Sequence, residues 1–280
     1  MIELAISFSQ EAKDEISKQL SPSRHCRLAE LSAMLSLGGH LTRLDSRKIL
    51  RFTTENIAVA RKYFTLIRKT FNINMDISIK THPNRKSNKI FTLVLRDTEN
   101  IDRILKAVKI TRNPMSEPSK GRTTEFNNPS NLVVQNVCCK RAFIRGAFLT
   151  SGSMSDPKKA YHLEVVLTNM DKAQQLQEII GTFSIDAKIV TRKKNYVVYI
   201  KEGAQIVDFL NVIEAHVALM NLENVRILKD VRNNVNRQVN CEAANISKTV
   251  AASTKQIEDI IYIRDTSGFT NLTEGLGDIA

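Results

Sequence analysis

Apolar residues along the chain fall into two rhythms, one of helical spacing and one of period two, and the same order of rhythms occurs twice. The first pass opens with an apolar helix over 28–41 and a strand over 49–53. A helix behind an acceptor-type cap follows over 54–70. Two strands, 75–80 and 90–96, then flank the turn-rich segment 82–88, and a helix over 99–108 closes the unit. The second pass reads helix 139–150, strand 162–168, helix 169–183, strands 187–191 and 196–201 around 192–195, and helix 204–213. Alternation supports the strands. Met75, Ile77 and Ile79 share one face and Asp76, Ser78 and Lys80 the other, which predicts one buried and one solvated side.

The repetition extends to short strings. Phe52-Thr-Thr-Glu-Asn56 stands 114 residues before Val166-Leu-Thr-Asn-Met170, and Gly38-Gly39 stands 113 before Ser151-Gly152. Leu93-Val-Leu-Arg96 stands 105 before Val198-Tyr-Ile-Lys201, so the offset shrinks after a longer hairpin in the first copy. Such self-similarity marks a duplicated unit. Residues 1–110 are read as the first half with an N-terminal helix, 131–218 as the second half, and 111–130, rich in turn formers, as the linker. From 219 the character changes. Leu222, Val225, Leu228, Val235 and Val239 keep helical spacing, with Arg226, Lys229, Arg232 and Arg237 among them. One helix is expected over 222–240 and another over 244–264 carrying Lys248 and Lys255, before a loop at 265–271.

Charge adds a partner to this outline. Lys and Arg number 41 against 29 Asp and Glu, for a net charge of +12 and a pI near 9.6. That balance is the electrostatic footprint of nucleic-acid binding, because cations that neutralise phosphates release counterions. With 42% hydrophobic and 25% charged residues the chain can build a core. The N-terminus lacks the basic and apolar regions of a signal peptide. No apolar run approaches the ~18 residues of a membrane span. The four cysteines, Cys26, Cys138, Cys139 and Cys241, form no disulfide framework and point to a reducing, cytoplasmic setting. No Ser/His/Asp arrangement or glycine-rich phosphate loop stands out, and His162 and His216 are read as histidines of a core or helix face.

The two first helices carry a resemblance. Leu31-Ser-Ala-Met-Leu-Ser-Leu-Gly-Gly39 and Ile144-Arg-Gly-Ala-Phe-Leu-Thr-Ser-Gly152 look like the LAGLIDADG motif of homing endonucleases, with Ala33, Gly38, Gly146 and Ala147 small enough for two helix backbones to approach. Further segments make the chain similar to the WhiA family of bacterial sporulation and cell-division transcription regulators. They are Cys138-Cys-Lys-Arg-Ala-Phe-Ile-Arg-Gly-Ala-Phe-Leu149, Gly152-Ser-Met-Ser-Asp-Pro157 with Tyr161-His-Leu-Glu164, Tyr196-Val-Val-Tyr-Ile-Lys-Glu-Gly203, Glu223-Asn-Val-Arg226 and Asn236-Arg-Gln-Val-Asn-Cys-Glu-Ala-Ala-Asn245. The resemblance implies an α/β (α+β) chain: a duplicated αβαββα homing-endonuclease-like body followed by an all-α helix-turn-helix domain. The match runs only to the opening of that last domain, Leu272 to Ala280, so a truncated domain without its recognition helix is expected.

The resemblance also sets expectations for chemistry. An active LAGLIDADG enzyme carries an acid at the eighth motif position, where Gly38 and Ser151 stand here; neither can ligate a hard cation, and Asp45 and Asp156 lie beyond the motif ends. The expected protein is no enzyme, and no cofactor or metal is assigned. In the implied fold Cys26, Cys138, Cys139 and His25 come from adjacent helix starts, a set that suits zinc, but without C-x-x-C spacing the thiols are read as packing groups. The saddle-shaped sheet would put the basic tips Arg85, Lys86 and Arg192, Lys193, Lys194 on phosphates. Arg226, Lys229, Arg232 and Arg237 on the Asn-rich helix 222–240 are the stronger DNA-binding candidates, since Arg and Lys position a protein on phosphates and Asn can also reach base edges; Lys248 and Lys255 on the next helix join them as candidates. The expected role is a DNA-binding regulator of cell division and sporulation, cytoplasmic and nucleoid-associated, acting on duplex DNA with another transcription regulator or an RNA polymerase sigma factor. The alternative is a partner-binding scaffold that reads no sequence.

Overall fold

The computed structural model describes residues 7–44, 47–82, 85–112, 123–124 and 126–266. The chain divides into two units, 1–225 and 226–280. In the first, α1 (Phe8–Lys18) precedes a half made of α2 (Arg24–Gly38), β1 (Gly39–Leu44), β2 (Arg47–Thr54), α3 (Ile57–Phe71), β3 (Asp76–His82), β4 (Arg85–Leu95) and α4 (Thr98–Ala107). Short strands β5 (Ile110–Arg112), β6 (Thr123–Thr124) and β7 (Phe126–Pro129) and a 3-10 turn at Asn131–Val134 lead to the second half. That half comprises α5 (Val137–Ser151), β8 (Gly152–Met154), β9 (Leu163–Leu167), α6 (Met170–Gly181), β10 (Lys188–Arg192), β11 (Asn195–Ile200) and α7 (Gly203–Val212). Helix α8 runs His216–Thr266.

The duplicated α/β reading holds, with one strand added to each copy. The first helix ends at Gly38, short of 41, and β1 turns back antiparallel to β2 with Gly39 opposite Phe52; β8 does the same on β9 with Gly152 opposite Val165. The glycines explain the reversal. A Cβ on Gly39 would lie 2.5 Å from the Leu35 carbonyl oxygen, and one on Gly152 would lie 2.4 Å from Phe148 Cδ2. Each strand can leave hard against the last helical turn only because its first residue has no side chain. Sheet order is β3-β4-β2-β1-β6 in the first half and β10-β11-β9-β8 in the second.

Side-chain caps set the starts of α3, α4 and α6. Asn56 Oδ1 accepts from the Ala58 and Val59 N–H groups at 2.7 and 3.3 Å, and Asn169 and Asp97 do the same for α6 and α4. One face of each sheet is apolar: Leu41, Leu50, Phe52, Leu93 and Leu95 in the first, Leu163, Val165, Leu167, Val198 and Ile200 in the second, all buried. Ile77 and Ile79 depart from the expected pattern. They are 52% and 60% exposed, because β3 is the outermost strand of its sheet.

Three further segments differ from expectation. Strands β3 and β4 reach into the segment expected as a loop, with His82 opposite Arg85 after a register irregularity. The described ends of the 111–130 segment are strands: Thr123–Thr124 pairs with β1, and Phe126–Pro129 pairs with β5. Helix α8 is continuous where two helices were expected, and its 51 residues contain neither Gly nor Pro to interrupt it.

Lys13 on α1 lies over the Phe148 ring, 5.8 Å from its centroid, and burial lowers its ammonium pKa to about 8. Below pH 8 both folded and unfolded chains carry the proton and the fold bears the full desolvation cost; above 10.5 neither does. Lys13→Met is therefore expected to raise the melting temperature at pH 7, with the gain shrinking as pH climbs from 8 toward 10.5. A gain independent of pH in paired thermal melts would remove burial of this charge as its cause.

Candidate nucleic-acid interface

The body centres on α2 and α5, which approach at small residues. A Cβ on Gly146 would stand 2.5 Å from the Glu30 carbonyl oxygen and 3.1 Å from Ala33 Cβ, so the two backbones meet where the sequence places Ala33 and Gly146. The motif-acid positions close the same helices. A Cβ on Gly38 would meet Thr150 Cγ2 at 2.7 Å and Phe52 Cε2 at 2.8 Å. Phe52 is fully buried and stacks on Tyr63 with ring centroids 4.2 Å apart. Ser151 Oγ is buried and makes no hydrogen bond among the described residues. Asp156 takes up a turn, its Oδ1 accepting from the Lys158 N–H at 2.9 Å, and Asp45 lies outside the described residues. Gly38 and Ser151 supply no carboxylate, and position 38 has no room for one as packed.

A charged knot under this helix pair went unread in the sequence. Glu30 is fully buried; its Oε1 lies 3.0 Å from Lys62 Nζ and accepts from Arg145 Nε at 3.2 Å. Arg145 Nη1 also donates to Glu214 Oε2 at 2.7 Å, and Lys62 donates to the Gln19 carbonyl oxygen. Burial lowers the Lys62 pKa against the pull of Glu30. For Arg145 burial pulls down as well, but the carboxylates of Glu30 and Glu214 outweigh it and raise the pKa. A single charge inside the apolar strings Leu28-Ala-Glu-Leu and Phe143-Ile-Arg-Gly was the available signal.

The basic candidates divide by place. Arg232, Arg237, Lys248 and Lys255 lie exposed on α8; Arg226 and Lys229 lie half-buried on the same helix. In the second half, Lys193 and Lys194 form an exposed two-residue tip between β10 and β11, with Lys193 at a left-handed φ of 57°. Arg192, at the tip's base, donates to Glu164 Oε2 at 3.3 Å. Arg85 and Lys86 belong to β4 rather than to a turn, and their side chains lie outside the described residues. Of the two histidines read as belonging to a core or helix face, His162 is half-buried with Nε2 3.2 Å from Glu164 Oε2, and His216 is exposed in the first turn of α8.

One more group converges. His25 and Cys26 stand in the first turn of α2, Cys138 and Cys139 in the first turn of α5. His25 Nδ1 lies 3.1 Å from Cys139 Sγ, 3.3 Å from Cys26 Sγ and 3.9 Å from Cys138 Sγ. Burial, and the crowding of the neighbouring sulfurs, push the Cys139 thiol up to about 12.

Comparison with known proteins matches the whole course of the chain. The WhiA N-terminal LAGLIDADG-like domain matches residues 24–111, the WhiA LAGLIDADG-like domain 140–232 and the WhiA C-terminal HTH domain 235–280. The "Probable cell division protein WhiA" of Lachnoclostridium phytofermentans is 56% identical over 276 residues, 98% of this chain and 86% of that protein. The protein of the same name from Alkaliphilus oremlandii is 44% identical over 277 residues, 98% of this chain and 85% of that one. The crystal structure of full-length WhiA from Thermatoga maritima shares the fold at a TM-score of 0.64 and 24% identity, covering 97% of this chain and 84% of that one. With three domain descriptions matched in order and relatives this similar along its length, the chain belongs to the WhiA family.

Proposed function

We propose that this chain is a DNA-binding transcription regulator involved in cell division and sporulation, and that its endonuclease-like body is catalytically silent. The observation that carries the reading is the cationic α8, whose part from 235 on falls in the match to a helix-turn-helix domain: from Arg226 to Lys255 the helix carries six basic residues against two acidic ones, Asp230 and Glu242. Gly38 and Ser151 support the silent body, since metal-assisted phosphodiester cleavage needs carboxylates at the metal. The division into halves at 1–110 and 131–218, a linker at 111–130 and a C-terminal region from 219 is part of this reading. So are a place in the cytoplasm at the nucleoid and a partner such as a sigma factor or second regulator. No described helix is long and apolar enough to cross a membrane.

The test is fluorescence anisotropy of the full chain with duplex DNA across a salt series. Affinity is expected to fall steeply as salt rises. Neutralising Arg232, Arg237, Lys248 and Lys255 together is expected to flatten the log–log slope by about three to four, at about 0.9 for each phosphate no longer neutralised. Charge reversal at Arg192, Lys193 and Lys194, with Arg85 and Lys86, asks the same of the hairpins. Absence of binding at low salt sinks direct DNA recognition and favours the scaffold reading. Metal-dependent nicking of supercoiled plasmid sinks the silent body.

A further inference from the structure

We propose that His25 Nδ1 and the thiolates of Cys26, Cys138 and Cys139 form a closed, four-ligand site for one zinc ion that joins the first turns of α2 and α5. The four donor atoms lie within 4.8 Å of one another. A tetrahedral zinc with Zn–N near 2.0 Å and Zn–S near 2.3 Å requires N···S edges of roughly 3.5 Å and S···S edges of roughly 3.8 Å. The observed N···S edges of 3.1, 3.3 and 3.9 Å bracket that value.

Hydrogen bonding alone does not account for the convergence. One imidazole nitrogen offers a single proton or a single lone pair, yet three sulfurs surround it. A cation between the four atoms satisfies every contact at once. The donors are sulfur and nitrogen, which select zinc over magnesium or calcium. Neighbouring residues on a helix diverge by about 100°, so two adjacent ligands from each of two facing helices can close around one point. A C-x-x-C spacing is then unnecessary, which is why the sequence alone favoured packing thiols.

The surroundings fit the charge of such a centre. Three thiolates and a neutral imidazole around Zn²⁺ carry a net charge of −1, and both ligand pairs sit at helix N-termini, where the positive ends of the macrodipoles favour thiolates. Arg141 lines the small cavity onto which Cys26 and Cys138 open, beside the Arg145–Glu214 ion pair. Cys26 and Cys139 are buried in a small cluster with Ala29, Val133 and Ala142, separate from the main core. A closed set of four protein ligands marks a structural site. On binding, the ion enters as three thiol protons leave to solvent, and no electrons are exchanged.

The test uses the full chain, stripped of metal under reductant and titrated with cobalt(II) as the zinc probe. The expected result is one cobalt per chain, with the intense visible bands of tetrahedral cobalt and sulfur-to-cobalt charge transfer in the near ultraviolet, all displaced by zinc. Zinc should also raise the melting temperature, as any ligand bound only by the folded state does. Cys138 is exposed, so Cys138→Ser should match the metal-free melting temperature of the parent while losing at least about a hundredfold in cobalt affinity, more than the outer-shell changes that cost 10–100-fold. Cys241→Ser, outside the cluster, should bind like the parent. Weak octahedral cobalt, stoichiometry well below one, or affinity unchanged in Cys138→Ser overturns the site. So does a disulfide among Cys26, Cys138 and Cys139 in protein isolated without reductant, if metal is not taken up after reduction. None of these readouts involves DNA.

Discussion

Replacing Glu30 with alanine is expected to destabilise the 1–225 unit by about 4 kcal/mol, within the range for removing one partner of a buried ion pair. Lys62 and Arg145 keep only 1% and 4% of their side-chain surface in water, so both cations lose a buried counter-charge at once. Arg145 retains Glu214, which is 42% exposed and screened by solvent. Lys62 retains the Gln19 carbonyl, a dipole in place of a charge. For a unit of this size the loss corresponds to a fall in melting temperature of about 8–16 °C. Urea unfolding followed by circular dichroism gives the free energy directly. The triple variant Glu30→Leu, Lys62→Met, Arg145→Met is expected to recover most of it, because an apolar replacement removes the desolvation cost along with the attraction. A Glu30→Ala protein within about 1 kcal/mol of the parent, the range of exposed pairs, would show that water reaches the knot and the charges are not confined.

Gly146→Val should be comparably severe through a different cause. The new Cβ meets the Glu30 carbonyl oxygen at 2.5 Å, and backbone cannot rotate aside as a side-chain tip can. Forcing extra atoms into a packed contact costs about 1–3 kcal/mol or more, and here it also pushes α2 from α5. Gly146→Ala suffers the same first clash, reduced by about 1 kcal/mol of helix propensity. Gly181→Ala supplies the contrast: nothing lies within 4 Å of its Cβ position at the end of α6, so stability should rise by up to about 1 kcal/mol. Equal effects at 146 and 181 would mean that helix propensity rather than close approach governs both positions.

How far the fold could be read from the chain follows from what each signal requires. The duplication, the helices capped by Asn56, Asp97 and Asn169, and the two hairpins were legible, because periodicity and capping act within a few residues. Strands β1 and β8 were not. Each starts directly after a helix, and β8 has only 3 residues, too few to show alternation. Ile77 and Ile79 alternate as a buried face should, yet stay exposed, since period two reports which side of a sheet a residue is on and not whether that side is covered. At the candidate sites the basic residues of α8 could be named in advance. The nearness of His25 to the three cysteines followed from the resemblance, through the adjacent helix starts, although the distances did not; the pairing of Arg192 with Glu164 could not be named, since it joins two strands 28 residues apart in the chain.

The packing at Gly38 bears on how such a chain could change. A mutation that brings an acid to this position places its Cβ against Phe52 and Thr150, and Phe52 is held in turn by its stack on Tyr63. A gained carboxylate would have to displace the aromatic stack before it could hold an ion. The bare backbone at position 38 thus works as a latch: an acid can enter there only if Phe52, Tyr63 and Thr150 move together, so no single substitution at this position supplies a metal ligand without repacking the end of the helix pair.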